Sequence, residues 1–117
     1  MATGRYGAYD LQAGVKQSLA QGETDRYTAC TVSLVNRRND NVKVSIAIST
    51  TVNDASELDY IDKDVELYPK TVLERTGIAI KAGQYITVES DKDLVSAVCY
   101  GVESGSAVSV TPIPTNT

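Results

Sequence analysis

The chain of 117 residues has no histidine, no tryptophan and no phenylalanine. Without imidazole there is no Ser-His-Asp or Cys-His nucleophile system, the commonest general base is missing, and histidine-ligated zinc is excluded. Two cysteines, Cys30 and Cys99, are too few for a four-thiolate metal site or a disulfide framework. No apolar run approaches the length of a membrane span, and there is no Asn-x-Ser/Thr acceptor. Neither GxxxxGKS/T nor GxGxxG occurs, so a phosphate-cradling loop has no support. The start, MATGRYGAYDL, lacks a charged region followed by an apolar one. The expectation is synthesis and folding in a reducing cytoplasm.

Charge is present but local. The net charge is −4, and DASELDYIDKDVE (54–66) alone holds six acids against Lys63. The rest of the chain is therefore close to neutral. No basic stripe with interleaved aromatics exists, so no nucleic-acid partner is expected. Arg37 and Arg38 form one short basic pair, which reads as a solvated turn.

Val, Ile, Ala and Thr dominate, and seven tyrosines are the only aromatics, a composition that favours strands. Cys30, Val32 and Leu34 alternate with Thr31, Ser33 and Val35. After the polar loop 36–41, Val42, Val44, Ile46 and Ile48 alternate with Lys43, Ser45, Ala47 and Ser49. This pattern predicts a β-hairpin. Further strands are expected at 15–19, around 60–61, at 65–68, over 72–80 interrupted at Gly77, at 85–89 and from Val95 to Gly101. Short strands with regular turn signals predict an all-β fold: one small antiparallel β-sandwich, immunoglobulin-like or jelly-roll-like. Residues 1–12 read as an extended N-terminal arm, 13–111 as the sandwich, and 112–117, with Pro112 and Pro114, as an extended tail.

The acidic stretch admits three readings. Paired carboxylates suit glycoside hydrolysis, but that chemistry also wants an aromatic-lined groove, and no enzymatic activity is expected. Calcium takes several oxygen ligands, with Asp59, Asp62 and Asp64 as the candidates, although EF-hand spacing and its glycine are absent. The third reading is a solvated outer face, with Tyr60, Ile61, Val65 and Leu67 as the buried half and Asp64 and Glu66 outside. Cys30 and Cys99 are either linked through the core, as in immunoglobulin domains, or two small buried thiols. Against the link, Ala97 stands where a tyrosine corner would be. Tyr6 and Tyr9 would be natural anchors if the arm docks on a neighbour. Glu74 and Arg75 either pair with each other or reach another subunit.

GRYGAYDL, VSLVNRRNDNVKVSIAIS, DYIDKDVELYPKTVLERTGIAIKAGQYITVES and VSAVCYGVES together resemble a family of small virion structural proteins of tailed bacteriophages. The resemblance covers about residues 4 to 104. It is most specific in the GRxGAxDL-like start, in Val35-Asn36-Arg37, in LERTG (73–77) and at Gly101. GETDRYT replaces the Val-Pro-Ala-like segment often found before the first strong strand, and the cysteines are not a feature of that family. The resemblance implies a β-sandwich built into the particle, with no cofactor and no enzymatic role. The expected function is a capsid decoration (cement) subunit, made in the host cytoplasm and located in the virion. It would be homo-oligomeric and bound chiefly to the major capsid protein, without membrane or nucleic-acid contacts. Arg5, Tyr6, Tyr9, Arg37, Arg38, Glu74 and Arg75 are the residues expected to meet neighbours. One alternative is a tail, baseplate or fibre component bound to tail proteins. Another is a β-sandwich that binds calcium or carbohydrate.

Overall fold

The computed structural model describes residues 4–24 and 26–106. It contains β1 (Gly4–Leu11), β2 (Gln17–Gln21), β3 (Arg26–Asn36), β4 (Val42–Ser49), β5 (Tyr60–Leu67), β6 (Val72–Ile80), β7 (Tyr85–Ser90) and β8 (Val95–Ser106), with one 3-10 turn at Glu57–Asp59. Two four-stranded sheets form, in the orders β1-β8-β3-β6 and β2-β7-β4-β5. Every strand pair in them is antiparallel. This is the strand order of an eight-stranded jelly roll, so of the two sandwich types expected, the topology is the second. The tail, 112–117, lies outside the described residues.

The core lies between the sheets. Cys30, Val32, Leu34, Val95, Ala97 and Cys99 point inward from the first sheet. Val42, Val44, Ile46, Ile86 and Val88 meet them from the other. The alternation read from the sequence thus identifies the inward faces of β3, β4 and β8. It misleads about the hairpin. β3 pairs with β6 and β8, while β4 pairs with β5 and β7, so the loop 37–41 is an arch between sheets. Period-two patterning reports which face of a strand is apolar, and two facing sheets satisfy it as well as two neighbouring strands do.

The described part of the expected arm is also corrected. Residues 4–11 are edge strand β1, paired with β8 from Gly4 opposite Gly101 to Leu11 opposite Val95. Leu11 is fully buried. Glycine, read as an interruption, is what admits this strand: a Cβ on Gly7 would lie 2.6 Å from the Leu19 carbonyl oxygen of β2.

Two further expectations change. The separate short strands at 60–61 and 65–68 are one strand, β5, kept continuous by two bulges opposite β4. Asp64 occupies one bulge at φ 52°, and its amide donates to the Ser45 hydroxyl at 2.9 Å. The bulges re-aim side chains, so Ile61, expected inside, is exposed, whereas Leu67 is buried. LERTG is the interior of β6 and not a crossing. Gly77 does take a positive φ of 72°, at a bulge opposite β3.

Asn36 closes the end of the sandwich. It is wholly buried, and its Nδ2 donates to the carbonyls of Asp40 (2.9 Å), Leu67 (3.1 Å) and Tyr68 (3.1 Å). Its Oδ1 accepts from the Arg38 amide at 2.9 Å. One side chain therefore joins the β3–β4 arch to the β5–β6 arch. Asn36→Asp removes the donor and sets a carboxylate against carbonyl oxygens. Leaving buried polar groups unpaired costs about 3 kcal/mol in sum, a fall of about 10 °C in melting temperature. Thermal melts of Asn36→Asp and Asn36→Ala check this, with the Asp variant expected to be the less stable.

Candidate functional site

The acidic stretch is dispersed by the fold. Asp54 pairs with Lys16 at 3.5 Å and accepts from the Ala55 amide. Asp59 accepts from the Ser56 amide at 2.9 Å and so caps its own 3-10 turn. Asp62 takes both guanidinium arms of Arg75, at 2.8 and 2.5 Å, with only 10 % of its side chain exposed. Glu66 accepts from Asn41 at 3.1 Å. Tyr60 donates to Glu89 and lies under the Lys63 ammonium, 4.2 Å from its ring centroid. Burial, then the hydrogen bond to that carboxylate, push the Tyr60 phenol well above its ordinary range. Of the calcium candidates, Asp59 and Asp62 are thus committed to different partners, and Asp64 is held at its bulge through the backbone amide. Among the described residues no three acidic or cysteine side chains gather as a metal site.

Arg75 and Glu74 do not pair with each other. Arg75 joins β6 to β5 through Asp62, which ties the edge of one sheet to the edge of the other. Glu74 accepts from the Tyr100 hydroxyl at 2.8 Å across the first sheet. Arg37 pairs with Asp10. Arg38 donates to Asp40 at 2.7 Å and to Asp93 at 2.5 Å, and Lys92 reaches Asp40 at 3.2 Å. The basic pair is therefore part of an ion-pair cluster that joins the loop 37–41 to the loop 91–94. Arg5 is placed by backbone register alone, opposite Tyr100.

Cys30 and Cys99 are free and buried. They face the core from neighbouring strands of one sheet, Cys99 opposite Val32 and Cys30 opposite Gly101. An immunoglobulin-type link between sheets has no counterpart here. Their mutual hydrogen bond, with burial, pushes the Cys99 thiol up.

The two outer faces of the sandwich differ. On the sheet β2-β7-β4-β5 the outward residues Ser45, Ala47, Ser49 and Thr87 are buried. The connection 50–59 leaves β4, reaches the opposite edge at β2 and returns to β5. There the Ser18 amide donates to Asn53 Oδ1, and the Asn53 amide donates to Ser18 Oγ, both at 2.8 Å. Ser18 Oγ and Ser49 Oγ each hydrogen-bond Thr87 Oγ1, at 2.8 and 2.9 Å. The hydroxyls of the outer face thus anchor the segment that covers it.

The first sheet has no such cover among the described residues. Its central strands present Thr31, Ser33 and Val35 from β3 and Ser96, Val98, Tyr100 and Val102 from β8, without one charge. Cross-strand register continues the face to Arg5, Ala8 and Asp10 on β1 and to Val72, Glu74 and Ala79 on β6. Val72, Tyr100 and Val102 are exposed. The charges sit on the edge strands, and Asp10 and Glu74 have partners already. The signal for this face was in the sequence: the polar half of the alternation in TVSLV and VSAVCYGV contains no ionisable residue except Tyr100.

The edges of both sheets are blunted. β1 is bulged between Arg5 and Gly7, β2 between Ser18 and Ala20, β6 at Gly77, and β5 twice. Bulged edges resist strand addition, so this molecule offers neighbours a face more readily than an edge. At the β1–β2 side there is also a groove of about 400 Å³ lined by Tyr6, Tyr9, Tyr85, Gln17, Gln21 and Asn53. The two tyrosines read as arm anchors are thus in one groove.

These features define the class: a two-sheet, all-β sandwich with one covered and one open outer face. No family model matches the chain, and neither a curated protein nor a solved structure matches it.

Asp40 supplies a pH test of the ion-pair cluster. Hydrogen bonding from Arg38 is the largest influence holding its carboxyl down, at about 2. A depressed folded value means that its contribution to stability is complete above the ordinary carboxylate range and is lost as pH falls toward 2. Carboxyl titration by NMR should give a midpoint near that value, and Arg38→Ala should move it toward the ordinary aspartate value of about 3.9.

Proposed function

We propose that this protein is a virion structural protein of a tailed bacteriophage, a decoration subunit that binds the head shell in many copies. The observation that carries the reading is the uncharged outer face of the first sheet. A face of small and β-branched residues with one tyrosine, between blunted edges, suits close packing against another protein. The ion pairs spent inside the molecule leave that contact to rest on area and shape. The jelly-roll topology is one that viral capsid proteins use, which supports the reading by analogy of fold alone. The resemblance of its motifs to those of small virion proteins points the same way. Bound at each of many equivalent positions, a modest contact would be multiplied by symmetry and would brace the shell against internal pressure.

Purified heads without tails should carry the protein, and its presence only on isolated tails would assign it to the tail instead. Binding should change little between about 50 and 500 mM salt, because the central strands of the contact face carry no charge. Val98→Glu and Val102→Glu each place a carboxylate in that face. Each should lower occupancy of heads at least tenfold, while the melting temperature stays within about 4 °C of the parent, a change of about 1 kcal/mol. Full occupancy by both variants would remove the face from the contact.

A further inference from the structure

The two sheets bring their edges together at β1 and β2, which approach closely at Gly7. Tyr9, opposite Ala97 in the register of β1 with β8, stands on the core side of β1. Tyr85, opposite Gln21 and Ser49, stands on the outer side of the second sheet. The groove therefore runs along β2 with a phenol ring contributed by each sheet. It opens at the side of the sandwich and not on the bare face. Its volume, about 400 Å³, is within the ordinary range of small-ligand sites.

The polar lining selects the chemistry. Gln21 and Asn53 supply amides and Glu23 the single carboxylate among the described residues. No lysine or arginine lines the groove among them, so a phosphate or another anion meets no counter-charge. Asn53 is oriented in advance. Its Oδ1 accepts from the Ser18 amide at 2.8 Å and from Gln17 Nε2 at 3.5 Å, and its backbone amide donates to Ser18 Oγ at 2.8 Å. Nδ2 is therefore the end of the side chain left to donate. β2 adds backbone groups, since as an edge strand it pairs with β7 alone. Planar amides and a carboxylate offer donors and acceptors side by side, as neighbouring sugar hydroxyls require. Phenol faces suit the C–H faces of a pyranose ring, which are apolar beside a polar rim. An alkylammonium ion would use the rings and the carboxylate but would leave the amides without partners.

We propose that the β1–β2 groove binds a neutral oligosaccharide, with sugar rings stacked on Tyr9 and Tyr85 and hydroxyls bonded to Gln21, Asn53 and Glu23. The groove is apart from the bare face, so sugar binding and head binding are independent and are read separately. The test is NMR of the full chain, with cellotriose, maltotriose and triacetylchitotriose as probes. At least one should shift the Tyr9 and Tyr85 ring resonances together and saturably, with a Kd of about 1 mM or tighter. Gln21 is exposed, and Gln21→Ala should weaken that binding about fivefold, the loss of one hydrogen bond. Tyr9→Ala should weaken it at least as much. The amide spectra of both variants should match the parent's away from the groove; where Tyr9→Ala disturbs them, Gln21→Ala alone decides. No ring shift with any of the three sugars at about 10 mM would overturn the proposal. Shifts that persist at parental affinity in the variants would place the sugar elsewhere and overturn it as well. Choline chloride shifting the same rings, with no sugar doing so, would make the groove a cation site and overturn it too.

Discussion

One buried amide sets the path of the chain. Asn36 ends β3 and satisfies carbonyls in the arch that follows it and in the arch between β5 and β6. An unpaired polar group in that position would cost more than the bond returns when made, so the amide selects the arrangement that pairs it. With both arches fixed, β3 and β6 belong to one sheet and β4 and β5 to the other. Nearly all successive strands then alternate between sheets, and outside the β4–β5 pair each partner lies far along the sequence. The ion pairs of Arg38 with Asp40 and Asp93 brace the same end from outside. They are exposed, and surface pairs of this kind contribute little on their own.

That routing also decides which surface is left for function. The exception to the alternation is β4 to β5, which stay in one sheet, and the connection between them is the segment that crosses to Ser18 and covers the outer face. Among the described residues the other sheet has no such connection over its central strands. Polar groups follow the same division. Hydroxyls on the covered face bind the covering segment, while on the bare face Thr31, Ser33, Ser96 and Tyr100 lie among valines. The acids of 54–66, which dominate the sequence to the eye, work locally: one caps a turn, one ties two sheet edges, one sits at a bulge. In physical terms the stretch is an edge strand and its approach, protected by charge and by bulges against pairing with other chains.

The inward faces were legible in the sequence, since burial imposes period two on Cys30, Val32, Leu34, Val42, Val44 and Ile46. The sandwich class followed from them. The partition of strands between sheets was not, because alternation is the same for a hairpin and an arch. Bulges were hidden for a related reason: Asp64 at positive φ looks like any polar residue in an alternating run, whereas Gly77 announced itself. The start of the chain was misread because its glycines suggested weakness, when Gly7 is what lets β1 approach β2. The Asp62–Arg75 pair spans two sheets, and no local pattern reports such a contact. The bare face was available in principle as a lack of charge on the outward half of two strands. That signal is faint beside six carboxylates.

The central claim is that the bare outer face of β1-β8-β3-β6 is the contact surface, and that the covered face of β2-β7-β4-β5 is turned away from it. A reconstruction of the particle at a resolution that orients the subunit tests this most directly. The account predicts β8 and β3 against the shell, with Val98 and Val102 at the contact and the 50–59 segment turned to solvent. A subunit bound through the 50–59 segment, with the uncharged face open to water, would contradict it.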